Sequence, residues 1–354
     1  MNMTIEEHTS NLVALGKFLG QFQINGVQKH PDFSELDELT NEMHEKIDAS
    51  IHRNGWFTRE NVIFSLQQWS EALKFENIQK WIGRYDLSNS GGKKIGIVMA
   101  GNIPLVGFHD FISTIICDHN IQIKQSSSDE LLLPLIAQFL IEQNSEYKNR
   151  IEFTKGKLEN FDAVIATGSD NTARYFEYYF KGKPSIVRKN RNSIAILTGK
   201  ESKEELEALS EDIFLYYGLG CRNVSKLYVP EGYDFDQFFK AMYSWNTIIN
   251  ENKYANNYDY NKAVYLMSEY KILDNGFLML KEDESFGSPI ATVFYQTYKD
   301  EDNLKEVLDS NSEKLQCVVR KDPKPDEVAF GKTQQPELWD YADNIDTIEF
   351  LSKL

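Results

Sequence analysis

Two rhythms of apolar residues divide the chain. Over residues 1 to about 90 the apolar positions recur every three or four residues. Leu36, Leu39, Met43 and Ile47 form one stripe, Ile63, Leu66, Trp69 and Leu73 a second, and Ile78, Trp81 and Ile82 a short third. Such spacing puts each set on one face of a helix. Asn54-Gly55 interrupts the first stripe, and Thr58 is placed to cap the second helix with its hydroxyl. Ser88-Asn89-Ser90-Gly91-Gly92 reads as a linker. From Lys93 the rhythm changes to short apolar runs separated by helical periods. Strands are predicted at Ile95–Met99, Ile121–Lys124, Phe161–Ala166, Ser185–Val187 and Ile194–Leu197. Between them lie helices running to about Ile116 and through Leu140, one carrying Ala173, Phe176 and Tyr179, and a last one over 202–217. After a strand at Lys226–Val229 the alternation resumes. Helices are expected near Phe235–Tyr243, Tyr260–Tyr270 and 301–309, and strands at Phe277–Leu280, Ile290–Tyr295 and Leu315–Val319. The tail is expected to hold one helix at Glu337–Ala342.

Continuous apolar runs alternating with helices imply an α/β fold built on parallel sheets covered by helices. The expected division is a helical N-terminal segment over 1–92 that packs on the next domain, one α/β domain over 93–220, a second over 221–329, and a tail over 330–354. At 354 residues the chain is long enough for two such domains. Its 41% hydrophobic and 26% charged content is ordinary for a soluble globular protein. A net charge of −16 argues against nucleic acid as a partner, because phosphate binding needs a basic footprint. Cys117, Cys221 and Cys317 are far apart and form no CxxC pair, which points to a reducing compartment, with neither a disulfide framework nor a metal site. The first residues lack a basic stretch followed by an apolar core, and no apolar run reaches membrane-spanning length. A cytoplasmic protein without a transmembrane segment is expected.

Several positions carry chemistry. Tyr217-Gly218-Leu219-Gly220-Cys221-Arg222-Asn223 joins a helix to a strand, and its glycines allow a tight path that presents a thiol to a cleft. Cys221 is otherwise a small buried hydrophobe. Gly168-Ser169 opens a helix directly after a strand, where free N–H groups and the helix dipole favour an anion; such a turn equally serves as a plain helix cap. Lys124 ends a strand at the edge where open α/β sheets bind ligands, and is either a cation for a ribose or phosphate or a solvated lysine. Asn102, in the turn before Pro104, either donates to a developing oxyanion or bonds its own turn. Lys181, Lys183, Arg188, Lys189 and Arg191 form a basic cluster that faces either a phosphorylated ligand or water. The G-x-G-x-x-G dinucleotide fingerprint is absent.

Taken in order, Met99-Ala100-Gly101-Asn102-Ile103-Pro104, Ile123-Lys124-Gln125-Ser126, Ala166-Thr167-Gly168-Ser169, Gly220-Cys221 and Glu284-Ser285-Phe286-Gly287 resemble the ordered signatures of the aldehyde dehydrogenase superfamily. Phe330-Gly331-Lys332-Thr333-Gln334 and Leu338-Trp339-Asp340-Tyr341-Ala342-Asp343 resemble, more narrowly, the acyl-CoA reductases related to the fatty-acid reductase of bacterial luminescence. The resemblance implies an aldehyde dehydrogenase-like fold, with a Rossmann-type nicotinamide dinucleotide domain followed by a catalytic domain. It implies Cys221 as the nucleophile and Asn102 as the oxyanion donor beside the Cys221 backbone N–H. It further implies that Lys124 and Ser126 lie near the adenosine ribose and any 2′-phosphate, Thr167, Gly168 and Ser169 at the pyrophosphate, and Glu284 and Phe286 at the nicotinamide ribose and ring.

One departure from the superfamily bears on direction. Oxidising members carry a glutamate that activates the hydrolytic water, whereas the matching stretch here, Arg188-Lys189-Asn190-Arg191-Asn192-Ser193, holds no acid. A thioester at Cys221 is then protected from water and open to hydride. With the resemblance, which implies the preference for NADPH, the expectation is NADPH-dependent reduction of fatty acyl-CoA to aldehyde, with NADH as the other cofactor candidate. Acyl-CoA or an acylated protein would be the donor, with an acyl-protein synthetase or transferase as a candidate partner and a homo-oligomer as one candidate assembly. The alternatives are an aldehyde dehydrogenase working in the oxidative direction and an acyl-carrying subunit of a larger reductase complex.

Overall fold

Thr4 begins the first helix with a reciprocal cap: its hydroxyl accepts from Glu7 N, and the Glu7 carboxylate accepts from Thr4 N at 2.7 Å. The computed structural model describes residues 3–354. Helix α1 (Ile5–Gly20) leads into a two-strand ribbon, β1 (Phe22–Gln23) and β2 (Gly26–Val27), and then α2 (Asp37–Arg53). Leu39, Met43 and Ile47 of the predicted stripe are buried along α2. Thr58 caps α3 (Arg59–Ala72) by accepting from Asn61 N, and α4 (Phe75–Ile82) buries Ile78, Trp81 and Ile82. The alternating part follows as β3 (Lys94–Val98), α5 (Phe108–Ile116), β4 (Asn120–Lys124), α6 (Leu132–Gln143), β5 (Ile151–Phe153), β6 (Ala163–Thr167), α7 (Asp170–Tyr179) and β7 (Ser185–Arg188).

These five strands form one all-parallel sheet in the order β5-β4-β3-β6-β7. The chain builds outward from β3 to one side and then returns to β6 on the other, so the direction of winding reverses between β3 and β6. That reversal opens a crevice at the carboxyl ends of those strands, where doubly wound folds take their ligands. The N-terminal helices share one continuous apolar core with the sheet, from Leu12, Phe18 and Trp81 to Ile97, Ile123 and Phe139.

The remaining elements are β8 (Asn192–Ile196), α8 (Lys203–Phe214), β9 (Val224–Pro230), α9 (Asp236–Met242), α10 (Asn252–Met267), β10 (Ile272–Asp274), β11 (Met279–Glu282), β12 (Thr292–Tyr298), α11 (Glu301–Ser310), β13 (Leu315–Arg320), β14 (Val328–Ala329) and α12 (Thr347–Ser352). A seven-stranded sheet runs β10-β11-β12-β9-β8-β13-β14, parallel throughout except for β10. Its core includes Ile194, Ile196, Tyr228, Leu304 and Leu315.

The chain accordingly forms two compact units, one running to Lys189 and including Glu337–Leu354, the other covering Asn190–Pro336. The break falls some thirty residues earlier than the one expected after Gly220, as the count from Lys189 shows. The reason is β8, which pairs with β9 and β13 and so belongs to the second sheet. An apolar run shows that a strand will be buried, not which sheet will take it. The tail differs as well. No helix forms at Glu337–Ala342; Glu337 N instead donates to the Asp340 carboxylate, and the chain stays in turns. Leu338 and Tyr341 are drawn into the first unit's core, where the Tyr341 hydroxyl meets Trp81 Nε1 and Tyr85 Oη, each at 2.8 Å. The helix that does form, α12, starts at a cap by Asp346.

Candidate functional site

Helix α8 ends at Phe214, and the chain turns back through two left-handed residues, Tyr216 (φ 53°) and Tyr217 (φ 58°), and then Gly218 (φ 76°). That last conformation suits glycine. Asn223, 3% exposed, fastens the turn from beneath. Its Oδ1 accepts from Gly220 N at 2.8 Å, and its Nδ2 donates to the carbonyls of Asp212 and Leu215 at 3.0 and 2.8 Å. Ser193 on β8 donates its hydroxyl to the Cys221 carbonyl at 2.9 Å and accepts from Cys317 N. Arg222 donates through Nε to the Thr333 carbonyl at 2.5 Å. Thr333 is itself tied to Asp212 through its N–H and its hydroxyl, with Gly331 N adding a third donor to the same carboxylate. Burial pushes the Asp212 carboxyl up to about 6 against those three bonds. The Phe330–Gln334 motif is thereby fastened to the Cys221 turn. Cys117 and Cys317 are buried, whereas Cys221 is partly exposed.

Strand β9 links this turn to the Glu284–Gly287 motif, which lies between β11 and β12. Ser225 donates its hydroxyl to the Phe286 carbonyl at 2.8 Å, and Lys226 donates Nζ to the Glu284 carbonyl at 2.7 Å. A Cβ on Gly287 would lie 2.7 Å from Asn192 Oδ1, so a larger residue there would have to displace the Asn192 side chain. Glu284 is exposed and Phe286 half-buried. The structure thus ties Glu284 and Phe286 to adjacent residues of β9, the strand that begins three residues after Cys221. The supporting Ser193, Asn223, Ser225 and Lys226 were not singled out from the sequence. Their one legible signal was a lysine opening an otherwise apolar strand.

In the other unit, Lys124 and Thr167 end neighbouring strands, and Asn102, Ser126, Gly168 and Ser169 lie just beyond the carboxyl ends of those strands and of β3. Val98 pairs with Lys124 on one side and Ala166 on the other. Asn102 is exposed and Lys124 half-buried. A Cβ on Gly101 would meet Ser126 Oγ at 2.6 Å, so the Asn102 turn packs against the Ser126 turn. Asp129 clasps the same turn by accepting from Leu105 N at 2.8 Å, with Leu105 at φ 57°. Ser169 caps α7 by accepting from Thr172 N. At Gly168 a Cβ would lie 3.0 Å from Thr172 and 3.1 Å from Phe176. A glycine turn at a helix N-terminus, beside a cationic strand end and at the winding reversal, fits the pyrophosphate and ribose of a dinucleotide.

The basic cluster does not assemble as one surface. Arg188 is 4% exposed, with Nη2 at 2.5 Å from the Asp110 carboxylate and 3.0 Å from the Thr347 hydroxyl, and Nη1 at 2.7 Å from the Ala342 carbonyl. Lys189 pairs with Glu177 at 2.8 Å, and Arg191 donates to the Leu315 carbonyl. Among the described residues no helix is long and apolar enough to cross a membrane, and no group of three or more His, Cys, Asp or Glu could hold a metal ion.

Desolvation pushes the Asp129 carboxyl from an ordinary 3.8 up to about 7. Its folded pKa therefore lies above its unfolded one, so between those values the folded state binds the extra proton. Its contribution to stability is full below about pH 4 and is lost as pH rises toward 7. Asp129→Asn keeps an oxygen for Leu105 N and removes the titration. Urea unfolding across pH should show the variant gaining on the wild type between pH 4 and 7; a constant difference would contradict this.

The model of the acyl-CoA reductase (LuxC) family matches residues 74–274, more than half of the chain. No curated protein matches the chain. Among solved structures, aldehyde dehydrogenase 21 from Physcomitrella patens, in complex with the reaction product succinate, superposes with a TM-score of 0.63 at 14% identity, covering 98% of this chain and 84% of that one. A NAD-dependent benzaldehyde dehydrogenase from Corynebacterium glutamicum gives 0.63 at 13% identity over 90% and 76% of the two chains. A NAD-dependent aldehyde dehydrogenase from Sinorhizobium meliloti gives 0.59 at 12% identity over 90% and 70%. At these identities the likeness is one of fold: the chain has the aldehyde dehydrogenase architecture.

Proposed function

The chain belongs to the acyl-CoA reductase (LuxC) family, an oxidoreductase family, and on that premise we propose that it reduces acyl-CoA thioesters, fatty acyl ones above all, to aldehydes with NADPH. The observation that carries this reading is the setting of Cys221. It is the partly exposed cysteine of the three, held in a glycine turn by Ser193 and Asn223, just before the strand whose Ser225 and Lys226 hold the Glu284–Phe286 loop.

The Cys221 thiolate attacks the acyl carbon, forming a carbon–sulfur bond as the bond to coenzyme A breaks. Coenzyme A leaves as its thiol, with the proton that Cys221 gave up. A nicotinamide cofactor, with its ribose and ring held by Glu284 and Phe286, would supply a hydride to the acyl group. Asn102 and the Cys221 backbone N–H donate to the resulting oxyanion, each donor contributing about 3 kcal/mol of barrier lowering. Collapse of the thiohemiacetal releases the aldehyde and returns Cys221 as thiolate. Water is a poor competitor in this scheme because the 188–193 stretch offers no carboxylate as a base. Its buried side chains are otherwise engaged, Arg188 in an ion pair and Ser193 on the Cys221 carbonyl.

In the same reading Lys124 and Ser126 hold the adenosine ribose and a 2′-phosphate, Thr167, Gly168 and Ser169 the pyrophosphate, and Glu284 and Phe286 the nicotinamide ribose and ring. NADH is the competing cofactor, favoured by the NAD-dependent enzymes of similar fold. The donor is acyl-CoA or an acylated partner protein, in keeping with a multi-protein fatty-acid reductase, and self-association is read by size-exclusion chromatography of the same preparation. The same NAD-dependent neighbours favour a second reading, oxidation of aldehydes.

Purified protein mixed with short- or long-chain acyl-CoA and either cofactor should consume NADPH and form aldehyde in equal amounts. No aldehyde from any donor overturns the proposal. Aldehyde oxidation by NAD with no reduction of any thioester establishes the second reading instead.

A further inference from the structure

Lys226 is an unexpected residue for its place. It lies on the central strand β9, between Val224 and the buried Leu227, Tyr228 and Val229, and its side chain is 0% exposed. Its ammonium donates to two neutral oxygens, the Glu284 carbonyl at 2.7 Å and the side-chain oxygen of Gln296 on β12. It lies 5.0 Å from the centre of the Phe286 ring and 5.1 Å from that of Tyr228. Burying an ammonium costs several kcal/mol, by the order of magnitude known for such groups. The cost shows in its pKa, which desolvation pulls down to about 8 although Asp283 and Glu284 oppose the shift. A methionine would fill the same space without that cost. What the ammonium adds is a pair of donors aimed at one loop and at the strand that follows it.

We propose that Lys226 is a positioning residue: by tying the Glu284 carbonyl to Gln296 beneath the Phe286 ring, it holds the Glu284 carboxylate and the Phe286 ring in the orientation that receives the ribose and nicotinamide of the dinucleotide. The loop has further ties: Ser285 N to the Asp283 carboxylate at 2.8 Å, Ser225 to the Phe286 carbonyl, Gly287 against Asn192, and the Ser288 hydroxyl to the Thr292 carbonyl. The Asp283–Ser285 bond closes the turn around Glu284 locally, and the Lys226 bond fastens Glu284 to β9 and, through Gln296, to β12. The inference rests on the cofactor roles proposed above, and it concerns affinity for the nicotinamide half rather than the reactivity of the thiol.

The test measures two properties of the full chain separately. NADPH affinity is read from the change in its fluorescence on binding. Acylation of Cys221 by acyl-CoA, without any cofactor, is read by intact mass. Lys226→Met should weaken NADPH binding by about tenfold or more, the range for losing a charged donor. Acylation should stay within about twofold, since the Cys221 turn is held by other residues. Lys226→Arg, which restores a cationic donor, should bring affinity back to within about threefold of the wild type. Unchanged affinity in Lys226→Met overturns the proposal. So does a parallel loss of affinity and acylation, which marks general damage. If Lys226→Met fails to fold by circular dichroism, Gln296→Leu, which removes one anchor, should weaken NADPH binding about threefold, and unchanged affinity there overturns it. A wild-type protein that is acylated by acyl-CoA but binds neither NADPH nor NADH overturns both this proposal and the cofactor reading beneath it.

Discussion

Replacing Cys221 by alanine is expected to lower aldehyde formation from acyl-CoA by at least about a thousandfold, the scale on which loss of a covalent nucleophile is felt. The variant should still fold and bind NADPH, because the turn is held by groups that alanine leaves in place. These are the Cys221 carbonyl on Ser193, Gly220 N on Asn223 and the Arg222 side chain on Thr333. Incubation of the wild type with acyl-CoA in the absence of cofactor should leave an acyl adduct on the Cys221 peptide, found by mass spectrometry. Cys117 and Cys317 are the internal controls. Both are buried, and burial pushes the Cys117 thiol far above the ordinary thiol range, which makes it a poor nucleophile. Undiminished turnover in Cys221→Ala, or an adduct on either buried cysteine instead, would end the mechanism.

The second large effect is on stability and comes from Arg188. Arg188→Met should destabilise the first unit by about 3–5 kcal/mol, because it strands the Asp110 carboxylate, 5% exposed, with its charge uncompensated. The same change frees the Ala342 carbonyl and the Thr347 hydroxyl, which anchor the returning tail and the start of α12. Urea unfolding measures the loss. The double variant Arg188→Met with Asp110→Leu should recover much of it, since apolar side chains of similar volume remove the buried charge with its partner. A loss below about 1 kcal/mol in the single variant would place the pair in the weak class of solvent-screened bridges. Such a result would also unsettle the view that this stretch is given over to structure, leaving no base for water.

Much of the molecule was legible in the chain itself, for a local reason. The stripe at Leu39, Met43 and Ile47, the cap at Thr58, the apolar runs at Ile95 and Ile121 and the Ser169 cap each depend on residues within a turn or two of one another, and each formed as expected. The ordered short motifs pointed to the family whose model the chain matches. Distant partners decided the rest. Periodicity marked Ile194–Leu197 as a strand, but only pairing with β9 and β13 assigned it to the second sheet. Composition made Glu337–Ala342 a helix candidate, but burial of Leu338 and Tyr341 against residues more than two hundred positions away held it in turns. Arg188 looked like one member of a basic surface until Asp110 neutralised it in the core. Asn223 and Lys226 had no periodicity to betray them. The residues along a chain determine which segments are helical, extended or turned and which side chains carry chemistry. Which of those side chains are held still, and by what, is decided only when hydrogen-bond partners remote in sequence are brought within 3 Å of one another.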